Sequence, residues 1–371
     1  MVLSIILKED KLEGKMKAQV FYEAEKMQME MLPIPEVSAI DVLVKVKSVG
    51  ICGSDISYYY GSSPVGTATG KGPIVLGHEF TGEVVEVGSV PEMLGLFAPG
   101  DRVVVNPVQN CNACYACAEG KTHLCANLSV PGVTVNGGFA QYCVSRYTGL
   151  FKISDDMSYS AGAFTEPLAC ALNGIKKLGI EIGDFVAIFG PGSMGLMMVQ
   201  MCKALGAAKV ALMGAAGDDW RLEQGKKVGA DYIFNTVEKN SKYYTSDLKK
   251  TISELTKGRL ADRAIAPTSA NAAFEQAVEI VGNCAVIVHF GLPNADDVFK
   301  IPALSFHTMD KEIRSAWLAP LAWPAAIRSI EEGLVKVDRL ITGTYPLEDT
   351  EKAIRTLKTN PGNQIKIQIA V

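Results

Sequence analysis

The chain has 371 residues, of which 48% are hydrophobic and 20% are charged, and it carries a net charge of −4. This length predicts two or three domains, and the composition excludes a disordered, collagen-like or coiled-coil protein. Without a basic excess we expect no nucleic-acid partner. No apolar run reaches the roughly 20 residues that span a bilayer, and residues 2–7 are too short for the core of a signal peptide. We therefore expect a soluble, cytoplasmic protein with no membrane partner.

The N-terminal part, from residue 16 to about 165, contains short β-type segments separated by glycine and proline. Residues 42–46 and 82–88 alternate apolar and polar side chains, which predicts half-buried strands. Residues 1–15 form an extension of mixed charge, which we interpret either as a frayed tail or as an added edge strand.

Three stretches of the sequence carry side chains that are typical of an open metal site. Cys52 lies in a Cys-Gly-Ser-Asp motif, and His78 and Glu79 follow a glycine. A thiol, an imidazole and a carboxylate can together bind zinc and leave one position free. Glu166 adds a carboxylate where the second half of the chain begins. Each residue also has a structural interpretation, because Cys52 and His78 could be core residues and Glu166 could be a charge at a helix N-terminus.

Four of the nine cysteines lie within fifteen residues and indicate a second metal site. An odd number of cysteines without a secretion signal argues against a disulfide framework. Four thiolates suit a closed tetrahedral zinc shell, which leaves no position for chemistry. An iron–sulfur cluster is the competing interpretation. The four residues are Cys111, Cys114, Cys117 and Cys125.

From about residue 167 to 313, apolar strands alternate with helical segments, which predicts a parallel, doubly wound sheet. In the tail after residue 313 we predict two helices and a final strand. In chain order, the predicted strands of the sheet include 185–189, 209–213, 263–266 and 285–290, the helices of the tail are 325–333 and 348–359, and its strand is 365–369.

A G-x-G-x-x-G motif follows the strand at 185–189 and opens a helix, which predicts a dinucleotide site. Its glycines permit a tight turn, close approach of a pyrophosphate and close packing of helix on strand. The N–H groups at the helix start then bind the negative charge. A plain tight turn is the alternative, against which the flanking strand and helix argue. The loop residues are Gly190, Gly192, Ser193, Met194 and Gly195.

The end of the next strand bears on the choice between NAD and NADP. Gly214 stands where an acidic residue usually binds the ribose hydroxyls of NAD. Asp218 or Asp219 could reach the ribose and would repel a 2′-phosphate, whereas Arg221 could attract one. We favour NAD and leave NADP open.

Taken together, these motifs resemble those of the zinc-containing medium-chain alcohol and polyol dehydrogenases, over about residues 16–371. The chain is most similar to the sorbitol, sugar-alcohol and threonine dehydrogenase branch, which has Glu-Pro where ethanol-type enzymes have a cysteine. The motifs are Cys-Gly-Ser-Asp at 52–55, Gly-His-Glu at 77–79, the four-cysteine lobe, Glu-Pro-Leu at 166–168 and Gly-Pro-Gly-Ser-Met-Gly at 190–195.

The resemblance implies an α/β architecture and a site in the cleft between two domains. A β-rich, GroES-like catalytic domain would comprise residues 1–166 and 314–371, with a structural-zinc lobe at 105–127. A Rossmann domain would occupy residues 167–313. The resemblance also implies one catalytic and one structural zinc per chain, a small-molecule alcohol as substrate, and a homodimer or homotetramer.

The resemblance also assigns roles to individual residues. Cys52, His78 and Glu79 would hold the catalytic zinc, with Glu166 as a fourth ligand or as a neighbour that acts through water. Ser54 would take the alcohol proton. Tyr58 would contact the substrate, although wall packing is an equal interpretation.

Three positions depart from the family pattern. Ser57 replaces a histidine that many relatives place three residues beyond Ser54, which leaves the proton's exit open, and Gly214 leaves the cofactor preference open. Leu318 and Ala319 replace an Arg-Tyr pair that binds polyol hydroxyls in sorbitol-type enzymes, which implies a less polar pocket.

The leading hypothesis is therefore a zinc-dependent, NAD(P)-linked dehydrogenase that oxidises a secondary alcohol of a polyol to a ketone. The alternative keeps the chemistry and changes the substrate to a small apolar secondary alcohol or a 3-hydroxy amino acid. A non-catalytic nucleotide sensor and a zinc-free quinone reductase are weaker hypotheses, because the metal-type residues and Ser54 are all present.

Overall fold

The computed structural model describes residues 14–67 and 71–371, apart from the side chain of Pro361. Only the last two residues of the extension predicted at 1–15 are among the described residues. Within the described ranges, no helix has the length and apolar character needed to cross a membrane. The strands are β1 Lys15–Glu23, β2 Lys26–Pro33, β3 Asp41–Gly50, β4 Ile74–Val75, β5 Glu79–Val87, β6 Arg102–Val105, β7 Tyr142–Arg146, β8 Leu150–Lys152, β9 Phe185–Phe189, β10 Lys209–Gly214, β11 Tyr232–Asn235, β12 Ala261–Ala266, β13 Val281–His289, β14 Glu312–Ser315, β15 Ile341–Pro346 and β16 Lys366–Ala370.

Helices connect these strands. Five of them are single 3-10 turns, at Thr122–Leu124, Tyr147–Gly149, Val337–Leu340, Leu347–Asp349 and Pro361–Asn363. The α-helices are α1 Gly53–Tyr59, α2 Ser89–Met93, α3 Tyr115–Ala118, α4 Tyr159–Gly162, α5 Thr165–Leu178, α6 Ser193–Ala204, α7 Asp219–Lys227, α8 Leu248–Leu255, α9 Asn271–Glu279, α10 Ala303–Thr308, α11 Trp323–Glu331 and α12 Thr350–Thr359.

The β-rich region draws strands from both ends of the chain. One sheet has seven strands in the order β15-β16-β3-β5-β6-β8, with β7 also paired to β3, and a second has the order β2-β1-β4. The central strand β3 is almost wholly buried because it has strand neighbours at both edges and packs into the core. The last strand, β16, pairs antiparallel with β3 in the register Gln368↔Gly50. The C-terminal tail thus completes the sheet that the N-terminal part begins.

A separate sheet, the parallel sheet, has six described strands in the order β11-β10-β9-β12-β13-β14. Every residue of β9 is buried, as expected for a parallel strand covered by helices on both faces. The doubly wound sheet predicted from the sequence is confirmed. Two strands, β11 and β14, were not identified from the sequence, because each has only four residues and is incompletely buried. The strand β14 spans residue 313, where the sequence analysis divides the domains.

The helix α5 joins the two regions. Its buried residues belong to an apolar core that also contains Val104 of β6 and Leu212 of β10. Gly174 lets α5 approach the parallel sheet, because a Cβ on this residue would lie 2.9 Å from the ring of Phe290. The side chains at the start of α5 are thereby held between the β-rich region and the parallel sheet.

The turn between β9 and α6 contains the three glycines of the G-x-G-x-x-G motif, which differ in what surrounds them. A Cβ on Gly195 would lie 1.9 Å from the carbonyl oxygen of Gly190, whereas a Cβ on Gly192 would meet no atom within 4 Å. Gly195 is therefore required by packing within the protein, and Gly192 leaves open space above the helix start.

We expect Gly195→Ala to lower the Tm by about 3–10 °C, because relieving so short a contact costs about 1–3 kcal/mol. Gly192→Ala is the matched control and should shift the Tm by no more than about 1 °C, since its φ of −75° suits alanine. Differential scanning calorimetry of the two variants measures both values. Equal Tm values would contradict this interpretation of the turn.

Candidate active site

Cys52, His78 and Glu79 come together because β3 pairs with β5. The register places Gly50 opposite Glu79, so that the end of β3 meets the start of β5. One donor atom from each of the three side chains lies within 4.8 Å of the others. His78 and Glu79 are buried, and Cys52 is half-buried. The structure thus brings together three of the four residues predicted to hold a catalytic metal.

Asp55 holds the backbone around this donor set in place. Its buried carboxylate accepts hydrogen bonds from the N–H groups of Cys52, at 2.9 Å, and Gly77, at 3.2 Å. One of its oxygens lies 3.7 Å from Nδ1 of His78, a buried atom for which the described residues supply no hydrogen-bond partner. Asp55 received no role from the sequence alone. Its position three residues after Cys52 is the local signal that could have indicated one.

The electrostatics of the set favour a cation. Burial lowers the pKa of His78, but the Cys52 thiolate and the Asp55 carboxylate outweigh burial and hold that pKa well above its usual value. This surplus of negative charge around an imidazole suits a divalent cation. The mixed thiol, imidazole and carboxylate donors are those that zinc accepts. The residues present therefore fit the zinc predicted from the sequence.

Glu79 has a second partner that sequence reasoning missed. Lys366 of β16 donates to both carboxylate oxygens of Glu79, at 2.6 and 2.9 Å, and to the carbonyl of Ile51, at 3.0 Å. Both side chains are almost fully buried. No local pattern could have revealed this pair, because its members lie 287 residues apart.

Glu166 is the second residue of α5 and lies outside the three-residue donor set. Burial raises its pKa to about 7, while the charge of His78 opposes that rise and the charge of Glu79 adds to it. Its Oε1 accepts a hydrogen bond from the thiol of Cys170, one helical turn along, at 3.4 Å. Glu166 thus neighbours the candidate metal residues, and its predicted role as a ligand stays a prediction.

The helix α1 carries the residues predicted to handle the proton and the substrate. Ser54 lies in its first turn and is half-exposed, and Tyr58 is buried. Ser57 donates its hydroxyl hydrogen to the carbonyl of Gly53 at 3.1 Å. Tyr59, next to Tyr58, fixes α1 to α12, because its hydroxyl donates to Glu351 of α12 at 2.6 Å.

The four clustered cysteines form a compact sulfur site around α3. One sulfur from each lies within 4.8 Å of the other three. Four sulfurs bound at about 2.3 Å to one tetrahedral ion lie about 3.8 Å apart, so this spacing fits a single ion better than a larger iron–sulfur cluster. Backbone N–H groups lower the pKa of Cys111 to about 6, which favours the thiolate that a metal binds. The residues are Cys111, Cys114, Cys117 and Cys125.

The glycine motif opens onto a cavity of about 160 Å³ at the carboxyl ends of the parallel strands. Gly192 is the N-cap of α6, and Ser193 and Met194 begin that helix, so their N–H groups have no partner within the helix and can bind an anion. The cavity is lined mainly by small and apolar side chains, with Gly190 and Gly214 among them. Its position, where the strand order reverses, is where open α/β sheets bind nucleotides.

Asp218 occupies the space that a side chain on Gly214 would need, since a Cβ there would lie 2.9 Å from the Asp218 Cβ. Asp218 lines the cavity, whereas Asp219 turns away and accepts hydrogen bonds from Asn235 and Ser241. Arg221 donates to Asp218 at 3.3 Å and to the carbonyl of Gln364 at 2.8 Å.

The loop between β14 and α11 carries the two residues that depart from the polyol pattern. Asn173 of α5 donates to the carbonyls of Trp317, at 3.2 Å, and Leu318, at 2.8 Å. Because Asn173 is two turns along α5 from Glu166, this loop lies about 10 Å along the helix from the metal-type residues. Leu318 and Leu321 both have positive φ, and Leu321 is 84% exposed. The loop is therefore apolar and has an unusual backbone conformation.

Comparisons with known proteins identify the family of this chain. Residues 38–155 match the family model of the alcohol dehydrogenase GroES-like domain, and residues 193–332 match that of zinc-binding dehydrogenases. A sorbitol dehydrogenase of Bacillus subtilis (strain 168) is 32% identical over 95% of this chain and 97% of its own.

Two solved structures are similar over 96% of this chain, each with a TM-score of 0.86. One is a zinc-binding dehydrogenase from Sinorhizobium meliloti 1021 bound to NADP, 27% identical over 100% of its chain. The other is an alcohol dehydrogenase from E. coli CFT073 complexed with NADH, 29% identical over 99% of its chain. The GroES-like and Rossmann architecture is thereby confirmed, and the chain belongs to the zinc-binding, nicotinamide-dependent alcohol dehydrogenases.

Proposed function

We propose that this protein oxidises a secondary alcohol of a polyol to a ketone, with zinc held by Cys52, His78 and Glu79 and with a nicotinamide dinucleotide bound above Gly192. The observation that carries the proposal is the mixed donor set of these three residues, grouped within 4.8 Å beside the start of α5. A second, four-cysteine site leaves no position for substrate and suits a structural ion.

When bound, zinc lowers the pKa of an alcohol and the nicotinamide ring accepts a hydride. The protein's own residues orient and deprotonate the substrate. Asp55 holds the backbone of Cys52 and of Gly77, which precedes His78, and its carboxylate lies 3.7 Å from Nδ1 of that histidine. Ser54 acts as a relay, because its hydroxyl accepts the alcohol proton and gives up its own proton. Because Ser54 is half-exposed and the Ser57 hydroxyl is occupied within α1, the proton passes from Ser54 directly to solvent.

A second candidate substrate class is favoured by the loop between β14 and α11. Leu318 and Ala319 offer no side-chain hydrogen-bond donor, and Trp317 exposes 40% of its surface beside them. A pocket wall of this kind suits a small apolar secondary alcohol better than the several hydroxyls of a polyol. The two candidates share the reaction and differ in what binds the rest of the molecule.

The test is nicotinamide reduction by the zinc-replete protein, measured at 340 nm with sorbitol, other sugar alcohols, 2,3-butanediol, 2-propanol and threonine. Turnover of sugar alcohols with kcat/KM at least tenfold above that for 2-propanol supports the polyol. The reverse order supports the apolar alcohol. A third outcome is that none of these compounds is turned over while the protein still binds a dinucleotide and Gly192→Ala weakens that binding. This combination would contradict the proposed oxidation of such alcohols and favour a nucleotide-binding sensor.

We further propose that NAD is the preferred cofactor. Asp218 is the charged residue among those that line the cavity, and its carboxylate would repel a 2′-phosphate. Arg221, which could attract that phosphate, is instead bound to Asp218 and to the carbonyl of Gln364. These contacts support NAD because binding NADP would require the arginine to leave both partners.

We expect kcat/KM for NAD to exceed that for NADP by at least about tenfold, and Asp218→Asn to reduce this ratio about tenfold by removing one unit of charge repulsion. The amide oxygen of asparagine can still accept the Ala215 N–H bond that Asp218 makes. Asp219→Asn is the matched control, since Asp219 faces Asn235 and Ser241 instead. If both variants changed the ratio equally, the role given to Asp218 would be wrong.

We also propose two zinc ions per chain, one at each donor set. Elemental analysis should find about two zinc ions in the native protein and about one in both Cys52→Ser and Cys114→Ser. Cys52→Ser should keep a native Tm and lose turnover at least about 100-fold, because its site acts in chemistry. Cys114→Ser should mainly lose solubility, because its site holds a lobe together. Normal turnover in Cys52→Ser would exclude the catalytic assignment.

A further inference from the structure

Lys366 is a buried cation that sits beside the candidate catalytic metal site. It is 4% exposed, and its ammonium group contacts both carboxylate oxygens of Glu79 and the carbonyl of Ile51. Ile51 directly precedes Cys52. The lysine therefore binds one candidate ligand, Glu79, and the backbone next to another, Cys52. The two hydrogen bonds to Glu79, at 2.6 and 2.9 Å, have the geometry of an ammonium–carboxylate pair.

The surrounding backbone confines the Glu79 carboxylate on its other side. A Cβ on Gly50 would lie 2.2 Å from Oε2 of Glu79, so the carboxylate rests directly on the glycine. Pairing of β16 with β3 fixes the lysine opposite, and Ile51 N–H donates to the carbonyl of Ile367 at 3.0 Å. Glu79 is therefore enclosed between a glycine that leaves it room and a lysine that binds both of its oxygens.

The same carboxylate is needed by two cations. One of its oxygens belongs to the donor set with Cys52 and His78, while both oxygens receive hydrogen bonds from Lys366. A carboxylate that an ammonium group already neutralises donates less negative charge to a metal. Lys366 adds one positive charge directly beside the carboxylate that would bind the zinc.

We propose that Lys366 is a positioning residue that shares the Glu79 carboxylate with the catalytic zinc and thereby keeps the site electrophilic. This inference rests on the proposed function. The added positive charge favours the anionic form of the alcohol. The same charge weakens the binding of zinc, so Lys366 raises reactivity at some cost in zinc affinity. A purely structural lysine, which only ties β16 to β3, would make the opposite contribution, because its loss would loosen the site.

A charge cycle separates these two roles through zinc release to a chelator, followed with a chromophoric indicator. Glu79→Gln leaves the lysine facing the metal without compensation and should release zinc at least tenfold faster than the native protein. Glu79→Gln/Lys366→Met also lacks the carboxylate ligand but removes the uncompensated lysine, and it should release zinc at least threefold more slowly than Glu79→Gln. Lys366→Met alone should release zinc no faster than native, while its kcat falls at least tenfold and its KM changes less than threefold.

Faster zinc release from Lys366→Met, or from the double variant than from Glu79→Gln, would overturn the proposal. Unchanged kcat in Lys366→Met would also overturn it. Lys366→Arg keeps the charge and should recover at least a third of the native kcat, and loss as severe as in the methionine variant would count against it.

Lys311→Met is the matched control for burying a neutral side chain in place of a lysine. Lys311 is also buried, but its ammonium group contacts only the carbonyl of Val278 among the hydrogen bonds found in the described residues. We expect native kcat and native zinc release from this variant. Cys52→Ser identifies the catalytic release phase, which should be missing from it. If that phase persisted in Cys52→Ser, the metal assignment of the proposed function would be wrong. If only the role of Lys366 were wrong, that phase would still be missing from Cys52→Ser, and only the Glu79 and Lys366 variants would depart from the rates expected.

Discussion

The pairing of β3 with β5 on one side and β16 on the other is the constraint on which the site depends. These hydrogen bonds bring the end of one strand, the start of the second and the start of the third to a single point at Gly50. Cys52, Glu79 and Lys366 meet there although they come from three separate parts of the chain. Three charged or ionisable groups can share so small and buried a volume because each offsets the charge of another.

The helix α5 connects this point to the parallel sheet. It begins with the buried Glu166 beside the metal-type residues and continues along the apolar core shared by both regions. Farther along, Asn173 binds the backbone of Trp317 and Leu318, and Lys177 binds the carbonyl of Ser315. One rigid helix therefore positions both a carboxylate near the chemistry and the apolar loop that we associate with substrate choice.

A second connection runs from the dinucleotide loop to the metal site. Arg221 links Asp218, at the proposed ribose position, to the carbonyl of Gln364. Gln364 lies two residues before Lys366, which binds Glu79. The residues proposed to distinguish NAD from NADP are thus joined by short contacts to β16, in addition to the connection through α5.

The sequence by itself determined the two metal motifs, the glycine turn, the doubly wound sheet and the family, because each of these signals is local or periodic. Four cysteines within fifteen residues, or three glycines in six, keep their spacing whatever the rest of the chain does. Only the tertiary structure showed that Lys366 binds Glu79, that Asp219 turns away while Asp218 lines the cavity, and that β14 extends the parallel sheet past residue 313. These outcomes depend on which distant strands become neighbours and on which partner each side chain finds there. Strand order and side-chain partners follow from packing of the whole chain, and no local pattern of residues records them.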